Sequence, residues 1–298
     1  ASGPVVIARI FGGLGNQLFC YAAARRLALA NDVPLRLDVR SGFLRDGFGR
    51  EYLLDRFTIP CQPASNWQSY LHPGGRARRC LERQMNARLP YAWRWVMREK
   101  ASHAFDPRLL DLRVTHALYL EGYWQSERYF ADAADIIRQD LRLSRPPNDA
   151  SRALADRMRR EESVSIHLRR FAEVRPALRH NVLFSPLRPD YYQRATAFIA
   201  ARTNQPHFYV FCEDLDWAMH GMDPDLHATP VYVNAALGYD GDVDDLWLMS
   251  QCRHHIISNS TFGWWGAWLG GSEKGLVVAP TTMADHNTCW IPPRWIPL

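Results

Sequence analysis

The strongest constraint on this 298-residue chain is an alternation: short apolar, β-branched runs, each ended by a glycine-rich or polar turn and followed by helical spacing. Residues 5–10 are apolar almost throughout, as expected of a parallel strand buried on both faces. Gly12-Gly13-Leu14-Gly15 supplies the turn. From Asn16 a helix is expected, with Leu18, Tyr21, Ala22, Arg25 and Leu29 three or four apart. A second strand runs through Leu35 and Leu37. Residues 41–100 are rich in Arg, Trp, Gly and Pro and offer only short helical pieces, such as 76–86. Residues 118–122 read as a strand and 126–141 as an amphipathic helix.

The second half repeats the pattern more cleanly. Strands are expected at 163–168, 207–212, 231–233, 255–258 and 276–279. Helices are expected at 190–201, from Asp214, at 242–252 and at 263–269. Helix and strand in alternation predict an α/β fold with parallel sheets. Ser144-Arg145-Pro146-Pro147-Asn148 is the best linker candidate, dividing the chain into domains 1–147 and 148–298. The second domain reads as doubly wound and Rossmann-like, with ligands expected at the carboxyl ends of its strands. No internal repeat is evident.

Composition narrows the function classes. Hydrophobic residues at 47% and charged residues at 22% fit a globular enzyme rather than a disordered chain. No run of about 18 apolar residues would cross a bilayer, and residues 1–15 lack the pattern of a signal peptide. The net charge of +5 is carried by arginine, with Lys100 and Lys274 the only lysines. Guanidinium groups grip anions in a planar, two-point way. Nucleic acid is a poor candidate for that anion, because the arginines are scattered and no aromatic RNA-binding motif or zinc spacing accompanies them. Six cysteines without a C-x-x-C pair are expected to be buried free thiols, which points to a reducing compartment.

Three segments place unusual residues at strand ends. Gly12-Gly13-Leu14-Gly15-Asn16-Gln17 lets backbone amides approach a ligand, although a tight structural turn explains the spacing equally well. It is neither a dinucleotide fingerprint, since Leu18 stands where a third glycine would fall, nor a Walker loop. His167-Leu168-Arg169-Arg170 sets paired arginines at a buried strand's mouth. They are costly to desolvate without an anion such as a diphosphate, the alternative being a solvated loop with a salt bridge. Ser258-Asn259-Ser260-Thr261-Phe262-Gly263 ends a strand and opens a helix. That is an anion site if the amides serve a ligand, and plain capping if Ser260 or Thr261 serves the helix.

Other motifs carry less. Asp214-Leu215-Asp216 resembles the D-x-D of metal-dependent transferases, but Asp214 suits a helix cap or, with Glu213, a nucleotide contact. His254 and His255 point to opposite faces of a strand and cannot easily share one ion. Trp268 is expected in the core, whereas Trp264 is open to either core packing or sugar stacking.

Taken together, the three segments resemble glycosyltransferase family 11, the α-1,2-fucosyltransferases, and its bacterial members above all. That family carries G-G-L-G-N-Q near its start, H-x-R-R mid-chain and S-N-S-(T/S)-F-x-W-W-G-A-W-L near its end. Residues 122–130, Gly-Tyr-Trp-Gln-Ser-Glu-Arg-Tyr-Phe, are similar to a stretch in the same enzymes. The resemblance implies a GT-B-like fold, two Rossmann-like domains facing a cleft, with GDP-fucose on the C-terminal one. It implies inverting transfer to the 2-hydroxyl of a terminal galactose on an oligosaccharide or glycolipid, without a metal or other cofactor. His167, Arg169, Arg170, Glu213, Asp214, Asn259, Ser260, Thr261 and Phe262 are expected on the donor. Gly13, Asn16, Gln17 and Trp264 are expected on the acceptor or the fucose. Arg169, Asn16 and Glu173 are assigned to the chemistry. Glu173 enters because Phe171-Ala172 replaces the family's usual Gly-Asp after the arginines. A cytoplasmic bacterial enzyme is expected, with peripheral association at the inner membrane face. The rival readings are a fucosyltransferase of another linkage, a non-catalytic glycan-binding protein and an NAD-dependent dehydrogenase.

Overall fold

The computed structural model describes residues 3–100, 104–170, 186–221, 230–233, 241–271, 275–283 and 290–298. Two compact units divide between Ser144 and Arg145, and Ile291–Leu298 belongs to the second. In the first unit the chain runs β1 (Val5–Arg9), α1 (Leu14–Ala30), β2 (Leu35–Asp38), β3 (Gln62–Pro63), α2 (Gly75–Asn86), β4 (Val96–Arg98), β5 (Ala117–Glu121) and α3 (Ala134–Asp140). The strands form one parallel sheet in the order β3-β2-β1-β5-β4, with Val6 opposite both Leu35 and Leu118. Val5, Val6, Ile7 and Ala8 are all buried, which explains the unbroken apolar run. Helix α1 packs on β1 and β2 and is buried on nearly every side. It begins at Leu14, two residues before the expected start, because Gly13 takes the extended conformation of an N-cap.

The expected helix over 126–141 is broken. Short 3₁₀ turns occupy Glu127–Tyr129 and Ala131–Ala133, and regular helix begins only at Ala134. Phe130 stands at φ −146° between the turns, with its side chain fully buried near the ring of Phe19. Core packing of an aromatic has overridden local helical spacing.

The second unit runs α4 (Asp149–Arg160), β6 (Ser163–Leu168), α5 (Pro189–Ala200), β7 (His207–Cys212), α6 (Leu215–Gly221), β8 (Val231–Val233), α7 (Asp242–Met249), β9 (His254–Ile256), α8 (Thr261–Gly270), β10 (Val277–Ala279) and β11 (Ile296–Pro297). Its parallel sheet has the order β11-β10-β9-β6-β7-β8. Alternate residues of β7 feed separate cores. Phe208 and Val210 meet Tyr191, Tyr192 and Ile199 of α5, while Tyr209 and Phe211 meet Met158 of α4 and Leu248 and Met249 of α7. Helices on both faces make this sheet doubly wound. In each unit the strand order turns back on itself beside one central strand. The turning point is between β1 and β5 in the first sheet and between β6 and β9 in the second. Ligands of open α/β sheets bind at the carboxyl ends flanking such a point.

The five cysteines among the described residues are unpaired. No helix among those residues is long and apolar enough to cross a membrane.

Candidate donor site at the turning point of the second sheet

Strand β6 delivers His167 and then the two arginines to the turning point. Strand β9 ends opposite it and passes through Ser258-Asn259-Ser260 into α8. A hydrogen bond of 2.9 Å between the Ser258 hydroxyl and His167 Nδ1 ties the two segments together. His167 is buried, its carbonyl accepts from the Tyr192 hydroxyl at 3.4 Å, and its ring lies against Phe262. Burial, helped by the Arg169 charge, pushes its pKa down to about 3. His167 is therefore a neutral, buried ring that ties β6 to the segment before α8.

Arg169 is half-exposed, Arg170 is exposed, and both are already oriented. Arg169 lies 3.4 Å from Glu213, the Arg170 amide donates to the same carboxylate at 2.9 Å, and the Arg170 guanidinium pairs with Asp214. Asp214 also accepts from the Trp217 amide at 2.9 Å, the capping role considered for it. That amide first, and Arg170 after it, hold the Asp214 carboxyl below its ordinary range. A carboxylate behind each guanidinium fixes its plane. Ser260 caps α8, its Oγ accepting from the Phe262 amide at 3.3 Å, and Thr261 opens the helix half-exposed. Asn259 is buried just before them. Capping and ligand binding are compatible here, since the capping oxygen acts as an acceptor and an anion needs donors.

Two expectations are corrected. Trp264 is buried to 1% exposure among Trp265, Trp268 and Trp295, so its face is not open to a sugar. Gln17 is buried with its amide fully used. Nε2 donates to the carbonyls of Gly12 at 2.9 Å and Glu51 at 2.8 Å, and Oε1 accepts from the Leu53 amide at 3.0 Å. It braces the glycine loop instead of reaching a ligand. The loop is thus a structural turn in part, and Gly12 at φ +79° needs glycine. Gly13 and Asn16 remain half-exposed, with Asn16 Oδ1 accepting from Gln125 at 2.7 Å. Glu173 and Phe171-Ala172 lie outside the described residues.

His254 and His255 are both buried, with separate partners. His254 meets Glu162 at 2.6 Å and His255 meets the Ser165 hydroxyl at 2.8 Å. Sequence reading overlooked Asp245 in the first turn of α7. Burial, with Asp242 and Asp244 beside it, pushes its pKa up to about 7, and Oδ1 is buried without a hydrogen-bond partner. An acid in a helix's first turn is so ordinary that nothing in the sequence marked it.

The family model described as Glycosyl transferase family 11 matches residues 51–290. The chain belongs to glycosyl transferase family 11. The matched region takes in the arginine and serine segments of the second unit, although the glycine loop precedes it. An α-1,2-colitosyltransferase of Escherichia coli is 28% identical, aligned over 95% of this chain and 93% of its own length. Galactoside α-(1,2)-fucosyltransferase 1 of Rattus norvegicus is 29% identical over 64% of this chain, an alignment spanning only 49% of the rat enzyme. Among solved structures, Arabidopsis thaliana FUT1 in complex with GDP shares the fold at TM-score 0.51 and 13% identity, covering 93% of this chain and 70% of that one. POFUT1 in complex with GDP does so at TM-score 0.50 and 10% identity, covering 93% and 98%. This family 11 glycosyltransferase therefore has the GT-B-like α/β fold, built from two Rossmann-like units with parallel sheets.

Proposed function

We propose that this glycosyltransferase moves L-fucose from GDP-β-L-fucose to the 2-hydroxyl of a terminal galactose, inverting the sugar carbon to give an α-1,2 linkage. One observation carries the reading: the His167–Ser258 bond ties the end of β6, just before Arg169 and Arg170, to the polar segment that opens α8. Two guanidiniums and a helix start together suit a diphosphate. In the displacement, the acceptor oxygen bonds to C1 of fucose while the bond from C1 to the phosphate oxygen breaks. The electron pair leaves with GDP, and the acceptor proton passes to a base or to solvent. Charge growing on the leaving phosphate is stabilised by arginines already in position. Asn259, Ser260, Thr261 and Phe262 frame the β-phosphate, and Glu213 and Asp214 steady the guanidiniums. Gly13 and Asn16 in the first unit serve the sugar and acceptor side. The acceptor is a galactose-terminated oligosaccharide or glycolipid, met at the inner face of a bacterial membrane. Guanidinium charge fills the place that a metal takes in other transferases.

A second reading is favoured by the 28% likeness to the E. coli colitosyltransferase over nearly the whole chain. Colitose is L-fucose without its 3-hydroxyl, so the same phosphate site serves either GDP-sugar. Incubation with GDP-fucose, GDP-colitose, GDP-mannose and UDP-galactose plus a β-galactoside separates the readings. Fucose transfer with an α-1,2 product supports the first, and a preference for GDP-colitose supports the second. Turnover of the UDP-sugar alone would sink both.

A further inference from the structure

Four arginines converge on one carboxylate at the carboxyl edge of the first sheet. Arg9 ends β1, Arg98 ends β4 and Glu121 ends β5, while Arg79 and Arg83 reach in from one face of α2. Glu121 is buried, with Arg9 at 3.1 Å, Arg79 at 2.7 Å, Arg83 at 2.6 Å and Arg98 at 3.5 Å from its oxygens. Other carboxylates at this edge accept hydrogen bonds from groups outside the cluster, although Asp38 lies close enough to act on Arg79 by its charge. Asp38 accepts from the Tyr119 hydroxyl at 2.6 Å and the Ser41 amide at 2.9 Å, and Glu99 accepts from the amides of Tyr123 at 2.8 Å and Trp124 at 3.0 Å.

Positive charge and hydrogen-bond donors therefore outrun their acceptors. Each guanidinium carries five N–H donors. Arg9 spends two nitrogens on Ser41, but Arg79 and Arg83 each place only Nη2 on an acceptor, and Nε of both is buried without one. Four guanidinium charges crowd one edge, and Glu121, with Asp38 acting on Arg79, does not balance them. The chemistry that completes the cluster is a second anion. Its location agrees, because β1 and β5 flank the turning point of this sheet, where a parallel α/β sheet takes its ligand.

We propose that Arg79, Arg83 and Arg98, backed by Arg9 and Glu121, bind an acidic group carried by the acceptor glycan, the carboxylate of a uronic acid or the phosphate of a sugar phosphate. The assignment to an acceptor rests on the fucosyl-transfer reading, with the first unit as its acceptor side. The anion site itself does not.

The test is calorimetric titration of the full chain, without any nucleotide sugar, with three disaccharides. These are lactose, β-galactosyl-1,4-glucuronate and lactose 1-phosphate. At least one acidic sugar is expected to bind about tenfold or more tightly than lactose, and which one it is separates carboxylate from phosphate. Arg98 is 58% exposed, so R98Q should fold as the parent does. In R98Q and in R83Q/R98Q the acid preference should shrink while lactose affinity holds, with melting curves confirming the fold. Equal affinity for all three sugars in the parent overturns the proposal, as does an undiminished preference in the double variant. Acid-selective binding that needs these arginines, in a protein that transfers no fucose, would leave this site standing and sink the donor reading alone.

Discussion

At the scale of single residues, the candidate donor site pairs Arg169 and Arg170 with the carboxylates of Glu213 and Asp214. Arg169 is predicted to meet the diphosphate. Arg169→Ala should lose at least ~2 kcal/mol of transition-state stabilisation, about thirtyfold in kcat/KM with GDP-fucose. Turnover equal to the parent's would remove Arg169 from the site. Asp214 is committed to a helix amide and to Arg170, so activity should persist in EDTA, and a loss restored by Mn²⁺ would reassign it as a metal ligand. That the arginine and serine-threonine segments lie at neighbouring strand ends was legible because each follows an apolar strand of one doubly wound domain. Gln17 and Trp264 were not, because a side-chain amide or an indole looks the same in a sequence whether it meets a sugar, braces a loop or fills a core. Asp245 was hidden by the opposite effect: its position is commonplace and only burial makes it unusual.

At the scale of elements, α8 shows why the site is where it is. Its glycines stand where other chains press closest. A Cβ on Gly263 would lie 2.6 Å from His167 Nδ1, one on Gly266 would lie 2.8 Å from Met249, and one on Gly270 would lie 2.6 Å from His255. Three glycines in a ten-residue helix each cost about 1 kcal/mol against alanine, so packing rather than propensity maintains it. Buried Trp264, Trp265 and Trp268 supply much of that packing, at about 3–5 kcal/mol for each indole truncated to alanine. Gly263→Ala should therefore destabilise despite better propensity, by a net ~1–2 kcal/mol in urea unfolding, and should weaken GDP binding by displacing His167. Unchanged stability and GDP affinity would mean that β6 and α8 are not locked together. Long strands such as β6 and β7 were read from the sequence to the residue, since apolar runs buried on both faces have no other use. Helix α4 was missed because Asn148, taken for linker, is its cap, accepting from the Ser151 amide at 2.8 Å. The helix over 126–141 was over-extended because two buried aromatics interrupt it.

At the scale of the whole molecule, buried histidines set an acid limit. Burial pushes His167 and His255 down to about 3, from near 6.5 when exposed. Above pH 6.5 neither the folded nor the unfolded chain binds these protons. Between 6.5 and 3 only the unfolded chain does, so stability is lost as pH falls, by up to about 1.4 kcal/mol per pH unit for each histidine. Asp245, whose pKa is raised to about 7, works the other way below pH 7, so the two histidines outweigh it only at lower pH. Urea unfolding should show a midpoint that falls from pH 6 to pH 5, and H255Q should flatten that decline if it folds. A midpoint that rises from pH 6 to pH 5 would contradict the buried, neutral state of both rings. The glycine contacts of α8 reach further than packing. Backbone amides that start so firmly seated have little chain freedom left to surrender when nucleotide arrives, so association should be driven by enthalpy. Hydrogen exchange along α8 should be slow in the free protein and barely slower once GDP is bound.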